Sequence, residues 1–166
     1  MAQRILQKGL TLAETLIAAT VLSIAVAAFS QAIVSGQMQM YQAANAARAT
    51  QLAEGLMERV RSMPYYDPNG QSNPGPEPGE SIPLGFDNAD DFHNYSESPG
   101  QLKDALGNLH PATHQRFSRR VTAQYGTQML SGIGSITGLT VTVTVTDSRG
   151  ATWTLTRFIT QPAVGT

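Results

Sequence analysis

KGLTLAETLIAATVLSIAVAAF (Lys8–Phe29) opens with a Lys-Gly pair, places one glutamate five residues after the glycine, and then runs apolar. Residues 15–34, TLIAATVLSIAVAAFSQAIV, hold no charge at all. About twenty such residues span a bilayer as a helix, at ~1.5 Å rise each. Residues 1–9 carry Arg4 and Lys8 and no acid, which predicts a cytoplasmic leader and an extracytoplasmic remainder. The apolar run exceeds the ~7–15 residues of a cleavable secretory signal. The residue out of place is Glu14. A carboxylate at the bilayer centre costs at least ~2.5 kcal/mol, less near a helix start where the helix dipole is favourable. An intramembrane acid suggests a cationic partner, either on another chain or at a newly made N-terminus. Cleavage after Gly9 would create such an amine at Leu10.

Beyond the apolar run the helical pattern continues to Ser62 but becomes amphipathic. Met38, Tyr41, Ala49, Leu52, Leu56, Val60 and Met63 recur at three- and four-residue steps, with Asn45 interrupting the stripe. That stripe predicts packing against the chain's own sheet. Pro64 predicts the helix end, giving a helix over residues 11–62.

Residues 64–111 hold eight of the nine prolines, and a long regular element there is not expected. Within FDNADDFHNYSES, Asp87, Asp90, Asp91 and Glu97 form a clustered oxygen set that would suit Ca²⁺, although the spacing is not an EF-hand. HPATH pairs His110 with His114 at i, i+4, but Pro111 lies between them and no acid accompanies them, so the zincin pattern is not met. His93 stands apart from that pair.

After residue 114 the period changes to two. Phe117, Val121, Ala123 and Tyr125 alternate with polar residues, and Arg119 shares their face. GLTVTVTVTD places Leu139, Val141, Val143 and Val145 on one side and Thr140, Thr142, Thr144 and Thr146 on the other. ATWTLTRFI repeats the alternation through Trp153, Leu155 and Ile159, and DSRG between the two runs reads as a hairpin turn. SGIGSITG (131–138) reads as a flexible link. One apolar and one threonine face describe a sheet covered on one side, with the long helix as its cover.

Composition narrows the function. The net charge is −1, and the best basic cluster, Arg116, Arg119 and Arg120, is too short for a nucleic-acid face. The chain has no cysteine, which removes disulfides, thiolate catalysis and Cys-ligated zinc. No nucleophile elbow, phosphate loop or convincing metal set supports an enzyme, and no cofactor is expected.

The Lys8–Phe29 stretch resembles the prepilin N-terminal motif of type IV pilins and type II secretion pseudopilins: a short basic leader ending in glycine, an apolar first mature residue, and glutamate at the fifth mature position. Gly9, Leu10 and Glu14 fall on those positions, although the family usually has Phe where this chain has Leu10. QLAEGLMERVRSMPYYDP (residues 51–68) is also similar to the helix end of certain minor pilins. The resemblance implies an α+β, pilin-like fold, with one long N-terminal helix on a small antiparallel sheet of about three to four strands. It implies a leader over 1–9, a transmembrane or filament-core half-helix over 10–34, and an amphipathic half over 35–63. A variable loop over 64–114 and a C-terminal sheet over 115–166 complete the plan. It implies cleavage after Gly9 and methylation of Leu10 by a prepilin peptidase. Glu14 would then neutralise the Leu10 amine of a neighbouring subunit. The implied partners are other pilin or pseudopilin subunits, the inner-membrane assembly platform and the membrane itself. The implied location is the inner membrane with the C-terminal domain outside, then a pilus or periplasmic pseudopilus. Type IV pilus and type II pseudopilus remain equal alternatives, and a non-polymerising membrane-anchored binding module is the competing function.

Overall fold

The computed structural model describes residues 11–68, 70, 73–80, 83–132 and 134–163. The first element, α1, is a single helix over Leu12–Arg61, within one residue of the expected bounds at each end. Its sequence has no proline to interrupt it. At its end the Met63 N–H bonds the Val60 carbonyl at 3.2 Å, and Pro64 then prevents another turn. The chain divides into two compact units, Met1–Ala44 and Asn45–Thr166.

In the first unit, the helix from Leu12 onward exposes its large apolar side chains on every side. Leu12, Ile24 and Phe29 are each at least 70% exposed, and Leu16, Ile17, Val21, Leu22, Ile33 and Val34 are exposed as well. An 18-residue window of this helix has a mean hydropathy of 2.1 and none of it is buried. A helix apolar all round is built for lipid or for a bundle of other helices, not for water. It is long and apolar enough to cross a membrane.

The second unit is a four-stranded antiparallel meander with the last four turns of α1 laid on one face. The strands are β1 (Ser96–Glu97), β2 (Phe117–Leu130), β3 (Gly134–Asp147) and β4 (Thr152–Thr160), in the order β1-β2-β3-β4. The alternation in the sequence sets the faces. Leu139, Val141, Val143 and Val145 of β3 are completely buried, with Phe117, Val121 and Ala123 of β2 beside them. Ala49, Leu52, Ala53, Leu56, Met57 and Val60 of α1 close the core from above. The opposite face of β3 carries its threonines, and the Thr142 and Thr156 hydroxyls meet across β3 and β4 at 3.1 Å. The DSRG turn forms as expected: the Gly150 N–H bonds the Asp147 carbonyl at 3.0 Å, and Asp147 Oδ1 accepts the N–H groups of Arg149 and Ala151. Gly150 takes a φ of 86°, which an L side chain rarely adopts. The result is a pilin-like α+β fold.

Three details differ from the sequence reading. The buried stripe of α1 begins at Asn45, while Met38 is 50% exposed. Asn45 does not interrupt the stripe: it is buried, and its Oδ1 accepts a short hydrogen bond from the Arg116 guanidinium. Most of SGIGSITG is strand, since the β2–β3 ladder continues through Gly126↔Gly138 to Leu130↔Gly134. Ladder hydrogen bonds run through the backbone and do not need side chains. Gly138 is required there, because a Cβ at that position would lie 2.3 Å from the Ile159 carbonyl oxygen and 2.6 Å from the Phe158 ring.

The proline-rich segment is irregular but contributes to the core. Phe92 and Leu102 are fully buried, and Phe86 packs edge-on to Phe92 with ring centroids 5.0 Å apart. A three-residue 3-10 turn, Asp90–Phe92, and β1 are its regular pieces among the described residues. It is tied to the helix end by the Ala89 N–H to the Pro64 carbonyl (2.9 Å).

Candidate functional site

Glu14 sits in the first turn of α1, three residues after Thr11. Its Oε2 accepts the Thr11 backbone N–H at 2.8 Å and the Thr11 hydroxyl at 2.9 Å. In return, Thr11 Oγ1 accepts the Glu14 N–H at 3.3 Å. This reciprocal pair is a capping box, which satisfies two backbone donors that a helix start leaves without partners. It was readable as Thr-x-x-Glu directly before an apolar run, a signal the sequence reading missed. Around it, Ile17, Ala18, Val21, Leu22 and Ala25 line a shallow apolar groove on the same side of the helix. Glu14 is therefore a carboxylate at the rim of an unburied apolar surface, held in place by Thr11. Gly9, Leu10 and the leader over 1–9 lie outside the described residues.

In the head, Arg119 resolves the anomaly of a cation on an apolar face. It is 4% exposed, and Glu97 on β1 is 7% exposed. Arg119 Nε donates to Glu97 Oε2 at 2.5 Å, and a terminal guanidinium nitrogen makes a second, very short contact to the same oxygen. The guanidinium also donates to the carbonyls of Leu52 in α1 (3.3 Å) and Lys103 (2.7 Å). Glu97 Oε1 accepts the Tyr95 hydroxyl (2.9 Å) and the Lys103 N–H (3.1 Å). One buried ion pair thus joins helix, β1, β2 and the proline-rich segment. Burial, then the Glu97 charge, pushes the Tyr95 phenol up from its ordinary value.

Of the four acids read as a calcium set, Glu97 and Asp90 turn to other partners, while Asp87 and Asp91 stay together, the Asp87 N–H bonding Asp91 Oδ2 at 2.9 Å. Glu97 is committed to Arg119. Asp90 accepts the Tyr125 hydroxyl through Oδ2 (2.8 Å), and its own N–H bonds Asn88 Oδ1. Asp91 instead faces Glu77 and Glu80, and one carboxylate oxygen from each of the three lies within 4.8 Å of the others. Glu77 and Glu80 were missed because they sit in a Pro-Gly tract with no local ligand spacing. Burial, followed by the Glu80 charge, raises the Asp87 carboxyl. Burial also raises Asp91 against the backbone N–H groups it accepts from residues 87 and 88. Glu77 is pushed up to about 7, first by sharing a hydrogen bond with Glu80.

The histidines have structural partners. His93 Nδ1 accepts the Ala123 N–H at 3.1 Å, which places its proton on Nε2. The rings of His110 and His114 lie 5.7 Å apart, and burial followed by the nearby Arg119 charge lowers the His110 pKa.

Searches against family models, curated proteins and solved structures return no match to this chain.

Proposed function

We propose that the chain is a structural subunit, a minor pilin or pseudopilin, that assembles into a filament through the first half of α1. The observation that carries this reading is a helix with no buried apolar face over Leu12–Ala44, bearing one oriented carboxylate at its first turn and attached to a pilin-like head. Such a surface needs lipid first and other helices afterwards. Small residues such as Ala18 and Ala25 on the same side of the helix as Glu14 would let neighbouring helices approach closely. On this reading a prepilin peptidase cuts after Gly9 and methylates the Leu10 amine. Glu14 then pairs with that amine on the next subunit and sets axial register. Inside an apolar bundle an unpaired carboxylate is costly, whereas an exposed pair in water contributes little. The role is mechanical rather than catalytic, and the proline-rich segment and threonine face present the outer surface.

The capping box favours one other reading specifically. If Glu14 serves only to start the helix, the protein is a membrane-anchored module that does not polymerise. Co-expression with a prepilin peptidase separates the two. The filament reading expects a product whose N-terminus is N-methylated Leu10 and which appears in filaments sheared from the cell surface or in an overexpressed pseudopilus. A chain that keeps its leader under those conditions contradicts it.

A further inference from the structure

We propose that Glu77, Glu80 and Asp91, with Asp87 beside them, bind one calcium ion in the head. The site joins two parts of the proline-rich segment, the Glu77–Glu80 turn and the 3-10 turn Asp90–Phe92. One oxygen from each of Glu77, Glu80 and Asp91 lies within 4.8 Å of the other two. Opposed ligands of Ca²⁺, at ~2.3–2.6 Å each, reach about that separation.

Asp91 adds an observation independent of the clustering. It is 0% exposed, and its Oδ2 accepts the N–H groups of Asp87 (2.9 Å) and Asn88 (3.1 Å). Its Oδ1 is buried and has no hydrogen-bond partner. Glu77 Oε2 and Asp87 Oδ1 are buried without a partner too. A buried carboxylate oxygen with no donor is expensive, and native proteins leave few of them. A fully buried Asp91 with an unpartnered oxygen, in a group whose Glu77, Glu80 and Asp91 oxygens converge, calls for a cation. The charges acting on Asp87 and Asp91 from nearby are carboxylates as well, those of Glu80 and Asp67. A divalent ion would turn this mutual repulsion into attraction. Calcium suits the set better than magnesium, which demands near-ideal octahedral geometry, keeps several waters and uses one or two carboxylates.

Once bound, the ion fastens the Glu77–Glu80 turn to Asp91, whose neighbour Phe92 lies in the core. It stiffens a segment otherwise rich in proline and glycine. The inference does not depend on filament assembly, since an anchored, non-polymerising chain would bind the same ion.

The test is calorimetric titration of the EDTA-stripped full-length protein in detergent with CaCl₂, paired with melting followed by Trp153 fluorescence. The expected result is one Ca²⁺ per chain and a rise in Tm on the order of 5 °C at saturation. Asp91→Asn and the partly exposed Glu80→Gln should each weaken binding by ~10-fold or more. Glu80→Gln keeps the test decisive if Asp91→Asn fails to fold. Absence of binding heat and of a Tm shift overturns the proposal, and so does binding that Glu80→Gln leaves unchanged. Equal affinity for Mg²⁺ overturns the calcium assignment.

Discussion

Replacing Arg119 with leucine would leave the Glu97 carboxylate buried against α1 without its cation. The carbonyls of Leu52 and Lys103 would lose a donor in the same step. Removing one member of a buried ion pair costs ~3–5 kcal/mol. The head, Asn45–Thr166, unfolds with an entropy of roughly 0.25 kcal/mol/K, at ~2.1 cal/mol/K per residue. The loss therefore corresponds to a Tm lower by about 12–20 °C. The double variant Arg119→Leu/Glu97→Leu removes both charges and leaves a few neutral backbone groups to find water, so it should lie within ~2 kcal/mol of wild type. Urea unfolding read by Trp153 is a suitable assay, because this single tryptophan packs edge-on to core residue Phe117 with centroids 6.2 Å apart. The double-mutant cycle should give a coupling of at least ~2 kcal/mol. Additive effects within ~0.5 kcal/mol would refute the idea that this pair joins helix, β1 and β2.

Two other perturbations test other parts of the head. Gly138→Ala forces a Cβ into the Ile159 carbonyl and the Phe158 ring, and because backbone must move the cost should be at least ~1–3 kcal/mol, seen as a lower urea midpoint. The Glu77 carboxyl, ordinarily near 4.5 and raised to about 7 by Glu80, makes the folded state hold a proton that the unfolded chain releases. Its contribution is present in full below pH 4.5 and is lost as pH rises through 7. In metal-free buffer the stability of Glu80→Gln relative to wild type should therefore rise between pH 4.5 and pH 7, as measured by urea midpoints; a difference independent of pH would contradict that origin.

Periodicity made the main elements legible. The bounds of α1 followed from an unbroken helical pattern closed by Pro64, and the strand faces followed from the Val-Thr alternation of β3. The rest depended on contacts that no period encodes. Arg119 was visible as a charge on an apolar face, but its partner lies 22 residues earlier, on a two-residue strand inside an irregular segment. Glu97 accordingly looked like part of an aspartate cluster it does not join. Glu77 and Glu80 reach Asp91 only because the proline-rich segment folds back on itself. The glycines of 131–138 suggested flexibility, when the sheet needs Gly138 for a close approach by Phe158. The capping role of Glu14 was the opposite case: Thr-x-x-Glu was local, complete and readable.

That dual character of Glu14 supplies the sharpest measurement. Glutamine serves a capping box as well as glutamate does, so Glu14→Gln preserves the helix start and removes only the charge. The protein should insert in the membrane at wild-type level and be processed at Gly9. If Glu14 pairs with a neighbour's Leu10 amine, the Glu14→Gln subunit will be absent from sheared filaments while wild type is present. Incorporation of Glu14→Gln at the wild-type level would contradict the account and leave the carboxylate as a helix cap alone.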